Sequence, residues 1–245
     1  MKYGVQLYSV RDSVKDNGME ETLRRVAEIG YKSVELAGFG DLSAIDFRAC
    51  LDEFGLSVDG AHVGTKALKA DKIYETIADM EAIGCKRIII PAAKLSNDEQ
   101  IRDFLDLLTT ALPILRMAGF EVGFHNHHTE FLPNDDGVIP MDTLKAETDL
   151  FFELDTYWAF HAGVDPLAEM ERMGDRLKLI HIKDGIPSLG KESGKPLGLG
   201  EAPVEAVYRK AIERGLPIVV ESETLTPDGL TEIKICYDYL KSLEQ

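Results

Sequence analysis

A chain of 245 residues, 44% hydrophobic and 29% charged, can bury its own core, which excludes a disordered segment and a disulfide-dependent mini-protein. Its 27 Lys and Arg stand against 43 Asp and Glu, a formal charge of −16. A surface that acidic repels phosphate backbones, so nucleic acid is not an expected partner.

Met1 to Val10 holds a short apolar run that meets Gln6, Ser9 and Arg11 too early for a signal peptide. No stretch approaches the roughly 20 apolar residues that cross a bilayer. A cytoplasmic protein with no membrane contact is the expectation, and Cys50, Cys85 and Cys236, odd in number and widely spaced, read as buried thiols.

A phrase then recurs in which a helical pattern ends in Gly and a β-branched run follows. It occurs at Gly30-Tyr31, Gly55-Leu56, Gly84-Cys85, Gly119-Phe120 and Gly215-Leu216. Gly adopts the left-handed helix cap that other residues resist, and the chain turns directly into a strand. The first four of these glycines are 25, 29 and 35 residues apart, room for a strand, a loop and a crossover helix.

Completing the pattern gives strands at 2–8, 33–37, 58–63, 87–92, 121–127, 150–155, 177–183 and 218–223. Helices are expected at 19–29, 44–54, 70–83, 98–117, 141–145, 166–173, 203–214 and 230–243. The strands are apolar runs more than alternations, as where helices cover a parallel sheet. In the third helix Ile73, Ile77, Met80 and Ile83 form one face. Eight β-then-α units in one domain, 1–245, predict a single (β/α)8 TIM barrel of the α/β class. A doubly wound sheet would usually carry a Gly-rich phosphate loop after its first strand, and Tyr8-Ser9-Val10-Arg11-Asp12 has none. Gly185 to Pro203 reads as a long mobile loop over the barrel mouth.

Active sites of such barrels lie at the carboxyl ends of the strands. Five of the six histidines fall in or directly after strands, and His161 follows the sixth strand. Glu130, Asp155, His181 and Glu221 arrive at that end from four different strands. Three carboxylates and one imidazole repel one another unless a cation joins them, and this donor set suits Mn²⁺, Mg²⁺ or Co²⁺, with Zn²⁺ also admissible. Asp155, His181 and Glu221 each follow a strongly apolar run, where a charge needs a partner or a metal. On the fifth strand the ligand stays open, because His125 and His127 alternate onto one side and either can replace Glu130. Substrate contacts are expected from Gln6, Glu35, His62, His125, His127, Trp158 and Lys183, with a Lys183–Asp184 salt bridge as the competing role for the lysine.

The phrases Phe124-His125-Asn126-His127-His128-Thr129-Glu130-Phe131, Glu153-Leu154-Asp155-Thr156-Tyr157-Trp158, Gly163-Val164-Asp165-Pro166, Leu179-Ile180-His181-Ile182-Lys183-Asp184-Gly185 and Val220-Glu221-Ser222 resemble the sugar phosphate isomerase/epimerase family, the xylose isomerase-like TIM barrels. The likeness starts at Gly4-Val5-Gln6-Leu7-Tyr8 and covers nearly the whole chain. It implies one divalent cation held by Glu, Asp, His and Glu, which carry over to Glu130, Asp155, His181 and Glu221, with the two Glu as acid/base pair. The fifth strand departs from that pattern, having His125-Asn126 where the epimerases carry Glu before Asn. Trp158 also stands where such epimerases often place a histidine.

The expected activity is isomerisation or epimerisation of a small sugar or keto-polyol. A cation chelates adjacent carbonyl and hydroxyl oxygens, Glu130 or Glu221 removes the proton between them, and a cis-enediolate is reprotonated from the opposite side. The alternative is dehydration of a cyclic keto-polyol or keto-glycoside, of the inosose dehydratase kind, with His125 or His127 protonating the leaving hydroxyl. Cleavage of abasic DNA is disfavoured by the charge, and a non-catalytic sugar-binding barrel would bind without metal. A homo-oligomer is possible on this fold, with no interface assigned from the sequence.

Overall fold

The computed structural model describes residues 2–244. Eight parallel strands close into a barrel in the order β1 (Gly4–Gln6), β2 (Ser33–Leu36), β3 (Ser57–His62), β4 (Arg87–Ile90), β5 (Glu121–His125), β6 (Phe151–Asp155), β7 (Leu177–Ile182) and β10 (Ile218–Val220), which pairs back to β1. A short antiparallel pair, β8 (Asp184–Gly185) and β9 (Gly194–Lys195), lies in the connection before β10. The closed ring excludes the doubly wound alternative.

Helices wrap the ring, and several carry local start and stop signals. Ser43, Asn97 and Asp228 accept hydrogen bonds from the backbone N–H groups of Asp46, Gln100 and Thr231, capping the helices Ala44–Phe54, Asp98–Met117 and Gly229–Ser242. Gly55, at φ 68°, ends the first of these in the left-handed conformation and turns the chain into β3. Between the helices and the outer faces of the strands lies one large apolar core.

Inside the ring is a second, smaller apolar cluster of Ile89, Phe151, Leu179 and Val219. Phe151 fits because Gly123 opposite has no side chain: a Cβ there would sit 2.2 Å from the ring. This plug floors the barrel, and each buried member contributes about 1.5–3 kcal/mol. On it stand the polar residues that later positions of the same strands turn inward.

Three expectations change. The first strand stops at Gln6, whose side-chain oxygen accepts from Tyr8 N–H and starts the turn Leu7–Val10. The fifth strand stops at His125, so His127 belongs to the following loop and is not on the strand face with it. The segment 185–203 is an anchored loop: the buried Asp184 carboxylate accepts from the N–H groups of Gly185, Gly198, Gly200 and Ala202 at 2.8–3.1 Å. Among the described residues, no helix is long and apolar enough to cross a membrane. Cys50, Cys85 and Cys236 are buried free thiols.

Candidate metal centre and active site

At the carboxyl ends of the strands, His125, Asp155, His181 and Glu221 each place a ligand atom within 4.8 Å of the others. All four are buried and come from four consecutive staves, β5, β6, β7 and the residue after β10. Asp155 Oδ1 accepts from Trp158 N–H at 2.8 Å, capping the short helix Thr156–His161 that the sequence reading left unassigned. Asp155 N–H donates to Asn126 Oδ1, and Asn126 Nδ2 donates back to Asp155 O, so this side chain ties β6 to the end of β5. Asp155 Oδ2 remains buried without any hydrogen-bond partner. A buried carboxylate oxygen left unpaired is expensive, and a cation between these four groups would supply the missing partner.

Glu130 is not a member of this group. Its carboxylate accepts from His127 N–H at 2.9 Å and Thr129 Oγ1 at 3.2 Å, and it lines a separate hollow with Ala93, Leu95 and Asn134. The fifth-strand member of the group is His125, one of the two histidines that the sequence offers in place of Glu130.

Beneath the four lies a second layer in which Gln6, Glu35 and His62, expected as substrate contacts, meet Glu153, which the sequence did not single out. Glu153 Oε2 accepts from His62 Nε2 at 2.8 Å and from His125 Nδ1 at 3.1 Å. Glu35 Oε2 accepts from Gln6 Nε2 at 2.7 Å and from His181 Nε2 at 2.6 Å. Gln6 and Glu35 are completely buried and absent from the lining of the mouth cavity, so these two expected contacts lie in the layer below it. Glu153 was legible in principle: it stands two residues before Asp155, and strand alternation puts both on one face.

The mouth is a cavity of about 360 Å³ lined by Tyr8, Ala37, His62, Pro91, His125, His127, Glu221 and Glu223. Buried Lys183 reaches into the same region, with Nζ 3.7 Å from Glu221 Oε2, paired with Glu223, and 4.6 Å from the centre of the Trp158 ring. The expected pairing with Asp184 does not form, because that carboxylate is consumed by loop N–H groups. Trp158 stands beside His127 and His128, with ring centres 6.0 and 5.3 Å away.

Charge is distributed unevenly over these groups. Burial pushes Asp155 up to about 7, with Lys183 opposing and Glu221 adding to the rise. Burial likewise raises Glu35 to about 7, helped by Glu153. For Glu221 burial acts upward but Lys183 and His181 outweigh it, holding the carboxyl well below its usual range. Burial depresses His125 to about 3 and also lowers His127, so both imidazoles are neutral at pH 7. His181 is the opposite case: burial disfavours its cation, yet Glu153, Glu35 and Glu221 raise it well above the ordinary value.

Residues 23–242 match the family described as xylose isomerase-like TIM barrel. An inosose dehydratase of Geobacillus kaustophilus is 21% identical over 189 residues, 67% of this chain and 61% of the dehydratase, so the match spans less than two thirds of that relative. A sugar phosphate isomerase/epimerase from Parabacteroides distasonis superposes with a TM-score of 0.81 at 25% identity, over 97% of this chain and 96% of that one. A third barrel, an IolI protein with a bound zinc atom, superposes with a TM-score of 0.74 at 13% identity, over 99% of this chain and 98% of its own.

Proposed function

We propose, for a chain that belongs to the xylose isomerase-like TIM barrel family, a divalent-metal-dependent isomerase or epimerase that moves a proton beside the carbonyl of a small sugar or keto-polyol. The observation that carries the reading is the convergence of His125, Asp155, His181 and Glu221, with Asp155 Oδ2 buried and unpaired among them. Two nitrogens and two carboxylates fit Mn²⁺, Co²⁺ or Zn²⁺ better than Mg²⁺, which prefers oxygen. A bound cation would supply Lewis-acid polarisation of the substrate carbonyl and stabilise the charge that develops on its oxygen.

The chain's own groups divide the remaining work. Glu221 is ionised at neutral pH and lines the mouth, so its carboxylate is the base that takes the proton. Lys183, held against Glu221 and the Trp158 face, donates to a substrate oxygen. His62 presents its outer edge to the mouth while its Nε2 is held by Glu153. The protonated Glu221 returns the proton to the neighbouring carbon, and His127, neutral and across the same cavity, accepts a hydrogen bond from a substrate hydroxyl.

Replacing the family's fifth-strand Glu by His125 leaves Glu221 as the one carboxylate of the four-residue ligand group that also lines the mouth. That observation favours a second reading, in which the proton taken by Glu221 passes to a leaving hydroxyl held by His127 and water is eliminated. Both begin with the same proton abstraction. Metal-loaded protein should therefore incorporate solvent deuterium into a ketose or an inosose, and Glu221→Gln should abolish incorporation with the fold intact. Unchanged exchange in that variant removes Glu221 from the chemistry, and a product lighter by one water selects dehydration.

A further inference from the structure

A pair of buried carboxylates under the mouth makes no contact with the substrate cavity, yet every imidazole of the centre points a nitrogen at it. Glu153 rises from β6 and Glu35 from β2, both fully buried. His125 reaches Glu153 through Nδ1 at 3.1 Å. His181 reaches Glu35 through Nε2 at 2.6 Å and lies 3.2 Å from Glu153 Oε1. Glu153 faces both rings and, as a carboxylate, only accepts, so each ring must present N–H on that side. A neutral imidazole has one N–H and one lone pair, and fixing the first fixes the second. The nitrogen left for a cation is thus Nε2 in His125 and, once the ring gives up its second proton, Nδ1 in His181, which lies 3.4 Å from Glu221.

We infer that Glu153, assisted by Glu35, is a positioning residue that sets which nitrogen of His125 and of His181 is offered to the cation. The inference rests on the metal-site reading above. It also decides between two overlapping sets of side chains, because His62, His125, Glu153 and His181 likewise bring ligand atoms within 4.8 Å of one another. The two sets share His125 and His181, and one neutral ring cannot give a lone pair to both. In the deeper set direct hydrogen bonds of 2.8 and 3.1 Å already join His62 and His125 to Glu153. Each set keeps one buried unpaired carboxylate oxygen, Glu153 Oε1 below and Asp155 Oδ2 above, but in the upper set no ring hydrogen-bonds a carboxylate of the set closer than 3.4 Å and Glu221 opens on the mouth. The deeper set therefore orients, and the upper set ligates. Ring contacts hold the arrangement: His62 stacks on His181 at 5.4 Å and 21°, and His125 tilts against His181 at 4.7 Å. Carboxylates behind metal-bound histidines typically contribute about 10–100-fold in metal affinity.

The test compares wild type, Glu153→Gln and Glu35→Gln, each labelled with ¹⁵N-histidine and loaded with Zn²⁺. Nitrogen shifts report which ring nitrogen holds the metal, and titration calorimetry gives the affinity. Wild type should show Zn²⁺ on Nε2 of His125 and Nδ1 of His181, with a downfield Nδ1–H of His125. Glu153→Gln should lose that proton signal and bind Zn²⁺ about 10–100-fold more weakly, with unchanged circular dichroism. Glu35→Gln should disturb His181 and leave His125 as it was. Wild-type signals and affinity in Glu153→Gln overturn the inference. If Glu153→Gln does not fold, an unaltered His181 and affinity in Glu35→Gln overturn it instead. The metal-site reading fails separately, through wild-type protein that takes up no cation.

Discussion

His125 and Glu130 show how far single residues could be read. Asp155, His181 and Glu221 were legible because each ends an apolar run, where an isolated charge is costly unless something binds it. On the fifth strand three polar candidates follow one another within six residues, and a sequence does not say where the strand stops. The structure ends it at His125 and turns Glu130 back onto its own loop. His125→Ala should therefore weaken binding of a divalent cation by more than about 100-fold, exceeding the loss from a supporting residue, whereas Glu130→Gln should leave the affinity unchanged. Calorimetric titration with Mn²⁺ or Zn²⁺ checks both, and the reverse ranking would restore Glu130 as the ligand. Glu153 escaped notice because it sits inside Phe151-Phe152-Glu153-Leu154, which reads as packing, although its spacing from Asp155 placed it on the inward face.

Elements were legible to within a few residues where periodicity and caps agree, as in the helices 19–29, 44–54, 98–117 and 166–173. They were not legible where a side chain terminates or bends one. Between β2 and β3 the register passes from Val34–Val58 to Glu35–Gly60, which leaves Asp59 as the extra residue of a bulge. Burial raises its pKa against the opposing effects of Ser33 and Arg87. A carboxyl raised in the folded state stabilises fully below its unfolded pKa and loses that contribution as pH climbs through the folded value. Asp59→Asn should thus unfold at a higher temperature than wild type at pH 8, with the gap closing toward pH 4. A gap that widens on acidification contradicts this assignment. The glycine-rich connection before β10 is the other case. Composition suggested mobility, but one carboxylate organises it, and Asp184→Ala would leave four N–H groups without their acceptor. A loss of about 3 kcal/mol or more in urea unfolding is expected, together with faster amide exchange at Gly198, Gly200 and Ala202; protected amides in the variant would show that Asp184 is not the anchor.

At the scale of the whole molecule, the glycine-punctuated repeat sufficed to predict a closed (β/α)8 ring, because eight crossover units of that length have few other ways to bury their apolar strands. What the repeat could not convey is the vertical order inside the ring. An apolar plug of Ile89, Phe151, Leu179 and Val219 supports a layer in which carboxylates meet imidazoles, and the group of His125, Asp155, His181 and Glu221 stands above it, with His125 and Glu221 lining the mouth. Inward positions of neighbouring strands come to one level only through the register and bulges of the closed barrel, which one strand's sequence does not contain. We propose that this uppermost level seats one cation between His125, Asp155, His181 and Glu221. Anomalous diffraction from a crystal soaked in Mn²⁺ tests it most directly: a single peak in contact with those four side chains is predicted, and a peak ligated by Glu130, or none inside the barrel, would contradict it.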